Sequence, residues 1–297
     1  MIALLQALIV RSMKLFQRTA AVIAMALSLA PVAADADNAQ AEAAYDRGEL
    51  AEAMVIWLAV AEEGDAAAQY NVATLLRKGE GVPRDAAAAA SWYERAAQQG
   101  HHHAQVNLGR LYLDGDGVKR DLGRAFHWFD EAAHADFPPA QYYLATLYES
   151  GAGVLRDIEQ AKALYEVAAE AGLGAAAYRL SRLYDQEEMA ERNYGQSEMG
   201  ERNPRLARKW LVRGAVAGYP EAQLGLAELY RNGEGEGPNL VLAYFWAMKA
   251  ERSGMEKATT MRRQIGERMT PAQKRELIKM AKMMREAVDR PQRDGEE

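Results

Sequence analysis

Apolar residues recur along this chain at helical spacing, in short stretches broken by glycine-bearing turns. Between residues 101 and 136, Val106, Leu108, Leu111 and Tyr112 fall on one face of a helix. Gly115-Asp116-Gly117 ends that helix, because glycine takes up the left-handed conformation that closes a helix C-terminus. Asp121 stands where an N-cap is needed, ready to accept from backbone N–H groups that a first helical turn leaves without partners. A second helix follows, with Ala125, Trp128, Phe129, Ala132 and Ala133 as its apolar side. The segment reads as two helices joined by a tight, glycine-rich turn.

The pair repeats. Ala68, Ala104, Ala140 and Ala176 stand 36 residues apart, Ala222 follows after 46, and Ala258 after another 36. Ala89, Ala125, Ala161, Ala207 and Ala243 keep the same register, as do Leu75, Leu111, Leu147, Leu183 and Leu229. The cap column reads Asp85, Asp121, Asp157, Asn203 and Asn239, all good capping residues. Small alanine columns let helices approach closely. A bulky column of Trp92, Trp128, Leu164, Trp210 and Trp246 is expected to fill the layer between helix pairs, with Trp128 in the middle of the array. The periodicity therefore predicts an all-α repeat array with five full units, 65–100, 101–136, 137–172, 173–218 and 219–254.

The ends differ from the middle. Residues 37–64 form a shortened pair without the long Gly-x-Gly turn, with Tyr45 and Gly48 near the turn and Trp57 in the second helix, as an N-terminal capping pair requires. Residues 255–297 read as C-terminal capping helices and a polar tail. Within them Thr270-Pro271-Ala272-Gln273 is a capping box with proline at the first helical position. The helix it opens is predicted to run from Pro271 to about Asp289, with Leu277, Ile278, Met280, Ala281 and Met284 as its apolar side. The fourth unit is ten residues too long, and Glu188-Met189-Ala190-Glu191-Arg192-Asn193 is echoed by Glu198-Met199-Gly200-Glu201-Arg202-Asn203. That insertion reads as a local tandem duplication in the turn, cheap to accommodate because loop length costs little. A protruding loop that touches a partner is the alternative.

Residues 1–36 have another character. Lys14 and Arg18 precede an apolar run from Thr19 to Leu29, Pro31 breaks it, and small residues follow. This is the pattern of an export signal, with cleavage expected after Ala34 or Ala36 and Met13 able to serve as an alternative start. The apolar run holds 11 residues, fewer than the roughly 20 a membrane-spanning helix needs. An uncleaved anchor that adds Ile2 to Val10 is the alternative, and Arg11, Ser12 and Lys14 interrupt it.

The recurring residues, Ala-Gln-x-x-Leu-Gly-x-Leu-Tyr followed by Gly-x-Gly-Val-x-x-Asp, then Ala, Trp-Phe and Ala-Ala, resemble the Sel1-like repeat, a relative of the tetratricopeptide repeat. Tyr70 to Gly100, Gln105 to Ala133, Gln141 to Gly172 and Gln223 to Ala250 all carry it. The resemblance implies a right-handed α/α superhelical solenoid and an adaptor or scaffold role, with partners held on the concave face.

Composition narrows the chemistry. The 297-residue chain is 49% hydrophobic, 26% charged and 8% aromatic, which supports a packed core. It contains no cysteine, so disulfides, thiol catalysis and lipoprotein acylation are excluded. The net charge is −6, from 36 basic and 42 acidic residues, which argues against nucleic-acid binding. Loss of residues 1–36 takes away Arg11, Lys14, Arg18 and Asp35 and leaves 33 basic and 41 acidic residues, net −8.

His101-His102-His103, with His134, could attract a metal, but neighbouring helical residues point apart and no His-Glu-x-x-His spacing occurs. They read as solvated helix-start residues, and His127 beside Trp128 as a packed or edge-exposed histidine. Gly233-x-Gly235-x-Gly237 and Gly115-x-Gly117 lack the strand and the Lys-Ser/Thr pair of a phosphate loop. Asp114, Asp116 and Asp121 lack the spacing of a calcium loop and read as turn and cap residues. No catalytic, cofactor-binding or metal-binding residue is assigned, and no cofactor is expected. The expected function is a non-enzymatic periplasmic adaptor or regulatory protein that binds a protein or peptide partner, with no nucleic acid and no stable membrane span in the mature chain. Association with cell-wall glycan or exopolysaccharide during envelope assembly is the alternative.

Overall fold

The computed structural model describes residues 38–190, 203–233 and 237–288, with the side chains of 186–190 and 284–288 left aside. The expected export signal, residues 191–202 of the insertion and the polar tail lie outside the described residues. Every described element is helical. In chain order they are α1 (Asn38–Asp46), α2 (Leu50–Glu62), α3 (Ala66–Lys78), α4 (Ala86–Gln98), α5 (His102–Asp114), α6 (Leu122–Ala133) and α7 (Pro138–Ser150). They continue as α8 (Ile158–Glu170), α9 (Gly174–Ala190), α10 (Pro204–Val216), α11 (Pro220–Asn232), α12 (Leu240–Glu251), α13 (Glu256–Arg268) and α14 (Pro271–Val288). Packing divides the described residues into two compact units, 38–140 with Ala152–Val154, and Gln141–Gly151 with the described residues from Leu155 onward.

Each turn is built from the same hydrogen bonds. Gly79, Gly115 and Gly233 close the first helices in the left-handed conformation, at φ of 75°, 74° and 78°. The capping oxygens of Asp85, Asp121, Asp157, Asn203 and Asn239 accept from backbone N–H groups three residues on, at 2.9 to 3.0 Å. The backbone N–H of each cap donates to the first helix of its own unit, at the carbonyls of Leu76, Tyr112, Tyr148, Tyr184 and Tyr230. Arg84, Arg120 and Arg156 reach back from the turn and donate through Nε to the carbonyls of Arg77, Leu113 and Glu149, which would otherwise be orphaned at the helix end.

The insertion leaves this junction unchanged. Asn203 N–H donates to the Tyr184 carbonyl at 3.0 Å, as its shorter counterparts do. The first half of the insertion is not the loop the sequence predicts: α9 runs 17 residues, to Ala190. Glu187 occupies the position at which glycine stops the other first helices, so nothing forces termination there.

The alanine columns are the contact surfaces. Ala68, Ala104, Ala140, Ala176, Ala222 and Ala258 are fully buried, and so are Ala89, Ala125, Ala161 and Ala243. The bulky column is shifted by one residue from the expected one. Trp92, Trp128 and Trp246 are half-buried, whereas Tyr93, Phe129 and Tyr165 are completely enclosed. Helical geometry is the reason: Ala125, Phe129 and Ala132 share the inward line at i, i+4 and i+7, and Trp128 stands on its flank. Only Trp210 in the tryptophan column is fully buried, packed among Tyr165, Leu180 and Leu183. The C-terminal helix also departs from expectation. Leu277 and Met280 pack on the core with Met261 and Ile265, but Ile278 is 69% exposed and Ala281 is exposed as well. A helix with a neighbour on one side only buries a narrow stripe.

One column carries an irregularity with a measurable consequence. Gly64, Gly100, Gly172, Gly218 and Gly254 all have positive φ between successive units, and Asp136 holds that position at φ 54°. An aspartate side chain is strained in this region, where glycine is not. Asp136→Gly is expected to raise stability by about 1 kcal/mol, read as a higher thermal midpoint.

Candidate interaction surface

Within the first unit, the polar and aromatic side chains of the first helices gather in two places. At the N-terminal pair, Glu42, Tyr45 and Asp46 of α1, Trp57 of α2 and Asn71, Thr74 and Leu75 of α3 line a cavity of ≈ 310 Å³. The second gathering starts at Tyr70, whose ring stacks on His101 at 4.7 Å and lies 5.8 Å from His103. His103 meets the edge of Phe137 at 4.7 Å. This strip is formed by the N-terminal ends of α3, α5 and α7, because each cap position falls beside the first turn of the preceding first helix.

The histidines therefore have structural work that the sequence reading missed. His101 is the N-cap of α5: its Nδ1 accepts from the Ala104 N–H at 3.2 Å, in the column where Asp65 caps α3. Burial lowers the His101 pKa below its ordinary value, and the neighbouring His103 lowers it further, with a smaller contribution from His102; a hydrogen bond to the backbone and, more weakly, Asp65 oppose them. A depressed folded-state pKa means that the unfolded chain binds the proton more tightly. The stabilisation is complete above about pH 6.5 and is lost as pH falls through the folded pKa. The thermal midpoint should fall between about pH 7.5 and pH 5, and His101→Asn, which keeps a neutral cap, should flatten that fall. His134 acts in the opposite sense: its backbone bond to Asp130 raises its pKa, so the same experiment is run with His134→Gln as the background.

In the second unit the corresponding surface is tyrosine-rich. Tyr142 and Tyr143 of α7 meet edge to face at 5.4 Å, and Tyr178 of α9 lies 5.6 Å from Tyr219. The buried Tyr165 donates its hydroxyl to Glu149 Oε2 at 2.7 Å, and Arg179 approaches Glu149 Oε1 at 3.8 Å. Burial pushes the Tyr165 hydroxyl far above its ordinary pKa, and the hydrogen bond to Glu149 adds to this. Tyr165 stays protonated and serves as a fixed donor, not as a proton-transfer group.

The other sequence candidates are placed as parts of the frame. Asp116 makes a two-bond ion pair with Arg84, at 2.6 and 2.7 Å, and Asp121 caps α6. Gly115 and Gly117 turn the chain at φ of 74° and 75°. His127 is exposed and leans on Trp128 at 4.9 Å. Among the described residues, no three His, Asp or Glu side chains come together as a metal-binding group. No described helix is long and apolar enough to cross a membrane.

These repeated turns, caps and alanine contacts match a known family model, the Sel1 repeat, over residues 66–101, 102–137, 138–173, 174–219 and 220–255. The chain belongs to the Sel1-repeat family. It is similar to a Sel1 repeat protein from Oxalobacter formigenes, with 26% identity and a TM-score of 0.68, over 84% of this chain and all of that one. It is also similar to c5321, a protective antigen of uropathogenic Escherichia coli, with 30% identity and a TM-score of 0.57, over 73% of this chain and 45% of that one. Immunity protein Pa5087 from Pseudomonas aeruginosa shares the fold, at 22% identity and a TM-score of 0.50, over 74% of this chain and 84% of that one. No curated protein matches the sequence. Sel1 repeats generally serve as protein-interaction scaffolds.

The family pattern also explains a residue type that the sequence reading quoted but did not interpret. The glutamine after the first alanine column is buried in this Sel1-repeat protein. Gln69, Gln105 and Gln223 donate through Nε2 to the carbonyls of Ala61, Ala97 and Ala215, the ends of the preceding second helices, at 3.1 to 3.2 Å. Their recurrence at one register was the available signal. A polar side chain that repeats beside a buried alanine has a buried acceptor to satisfy.

Proposed function

We propose that this Sel1-repeat protein is a non-enzymatic adaptor that is exported to the periplasm and binds a protein or peptide partner on the tyrosine-rich surface that the first helices make within its second compact unit. The observation that supports this most is the composition of that surface: half-buried Tyr142, Tyr178 and Tyr219 and the partly exposed Arg179. Tyrosine and arginine are enriched among the residues that carry binding energy at protein interfaces, tyrosine as a large amphipathic ring with few rotatable bonds and arginine as a planar group of five donors. A chain with net charge −8 after loss of residues 1–36 favours encounter with basic partners. Crosslinking in intact periplasm followed by mass spectrometry is expected to recover a protein partner. Recovery of none, together with pelleting of the protein on purified peptidoglycan, would overturn the reading in favour of glycan binding. Export has its own test: N-terminal sequencing of the mature protein should begin at Asp35 or Asp37.

A further inference from the structure

The last helix carries an uncovered apolar surface. α14 packs on the core through Leu277 and Met280, while Ile278 and Met283, on other sides of the helix, are both 69% exposed. The other large hydrophobic side chains exposed among the described residues, Leu155, Val167 and Val216, lie singly on three different elements. A helix that only closed the array would be polar on its outer side. α13 meets that requirement, with Thr259, Thr260, Arg263 and Gln264 exposed, and α14 does not. Helical spacing sets Lys274, Arg275 and Lys282 three or four residues from Ile278, and Lys279 four residues before Met283. All four cations are exposed. Apolar side chains held out of the core among cations make a docking surface for an acidic partner.

The chain itself supplies a matching surface. Residues 255–288 carry nine basic and four acidic residues, net +5, in a chain whose total is −6. The N-terminal pair, residues 38–64, carries six acidic residues and one basic, net −5, and all six carboxylates are exposed. On α2, Val55 and Ala59 are half-buried one turn apart, and exposed Glu52 and Glu62 stand three residues before the first and three after the second. We propose that α14 of one copy docks on α2 of a second copy, Ile278 and Met283 against Val55 and Ala59, with Lys274, Arg275 and Lys279 facing Glu52 and Glu62. Two α14 helices would repel one another, so the contact joins unlike surfaces. Each copy then keeps one open surface of each kind, and assembly continues until it closes on itself. The contact is separate from the tyrosine-rich surface of the second unit.

Sedimentation equilibrium at low ionic strength tests it. The mean mass should rise with protein concentration, and about 0.5 M salt, which cuts the Debye length to roughly 4 Å, should weaken the association about tenfold. Two variants each block one surface with neutral residues, so that the blocked surfaces do not attract each other. Ile278→Ser with Lys274→Gln blocks α14, and Glu52→Gln with Glu62→Gln blocks α2; all four positions are exposed. Each variant alone should associate at least about tenfold more weakly. An equal mixture of the two should form a one-to-one dimer and nothing larger, since it holds one intact surface of each kind per pair. That rescue also shows that both variants are folded. A monomer at every concentration up to about 1 mM, unchanged association of either variant, or no dimer in the mixture would overturn the proposal. So would capture of a monomeric protein on phosphatidylglycerol vesicles that the α14 variant loses, which would assign the helix to a lipid surface instead. Both variants keep the tyrosine-rich surface, so periplasmic crosslinking reports on the adaptor reading whichever way the masses fall.

Discussion

Phe129→Ala should lower the stability of the protein by about 3–5 kcal/mol, the range for removal of an enclosed aromatic side chain. The ring is completely buried, and it packs on the bare backbone of Gly109: a Cβ added there would lie 2.6 Å from Cε1 of Phe129. Such a close approach leaves no side chain on α5 able to collapse into the vacated space, so the cavity term persists. Trp128→Ala, one residue away, removes a larger side chain that is only half-buried and should cost roughly 1–2 kcal/mol. Urea midpoints followed by circular dichroism rank the two variants. A costlier Trp128 would mean that the second helices are rotated from the register described above.

Gly117→Ala should cost about 2–4 kcal/mol, from two separate causes. Its φ of 75° strains any residue with a side chain. A Cβ at this position would also collide with the main chain of Ala86 and Ala87, at the start of α4. Backbone cannot rotate aside as a flexible side chain does, so the turn of one unit would be lifted from the helix start of the unit before it. Gly115→Ala separates the two causes. It has nearly the same φ of 74°, but its Cβ would meet only Arg120, at 3.2 Å from the Cβ and at the ordinary contact distances of 3.5 and 3.6 Å from the backbone N and Cα. It should therefore cost about 1–2 kcal/mol, the strain alone. Equal losses in the two variants, measured by the same urea midpoints, would show that the contact between units contributes nothing.

The sequence made the unit legible because each helix pair must solve the same local problems with the same residues. A left-handed residue has to end the first helix, a side-chain acceptor has to open the second, and a small residue has to sit wherever two helices touch. Gly115, Asp121 and Ala125 answer these in one unit, and their counterparts answer them in the others. The capping box at the last helix was readable for the same reason. Thr270 N–H donates to Gln273 Oε1 at 2.9 Å, and Gln273 N–H donates to Thr270 Oγ1 at 3.3 Å, both set by residues three apart.

What spacing alone did not decide was which of two adjacent aromatic residues faces inward. Trp128 and Phe129 are both compatible with an apolar helix face, and repetition preserves both columns. The choice depends on the small rotation of each second helix that brings Phe129 over Gly109. The histidines went the same way. His101 became a half-buried cap stacked on Tyr70 because the start of one first helix comes to rest beside the start of the next, a contact 31 residues apart in the chain. The cavity at the N-terminal pair is likewise invisible in sequence: residues of α1, α2 and α3 line it together, and only the packing of the three helices brings them there. Local hydrogen bonding and helical period thus determined the helices, their caps and their repetition from sequence. Which side chains are enclosed, stacked or left with an open hydrogen bond was decided by the packing of one helix on another, because burial depends on rotations and distances that a one-dimensional pattern does not carry.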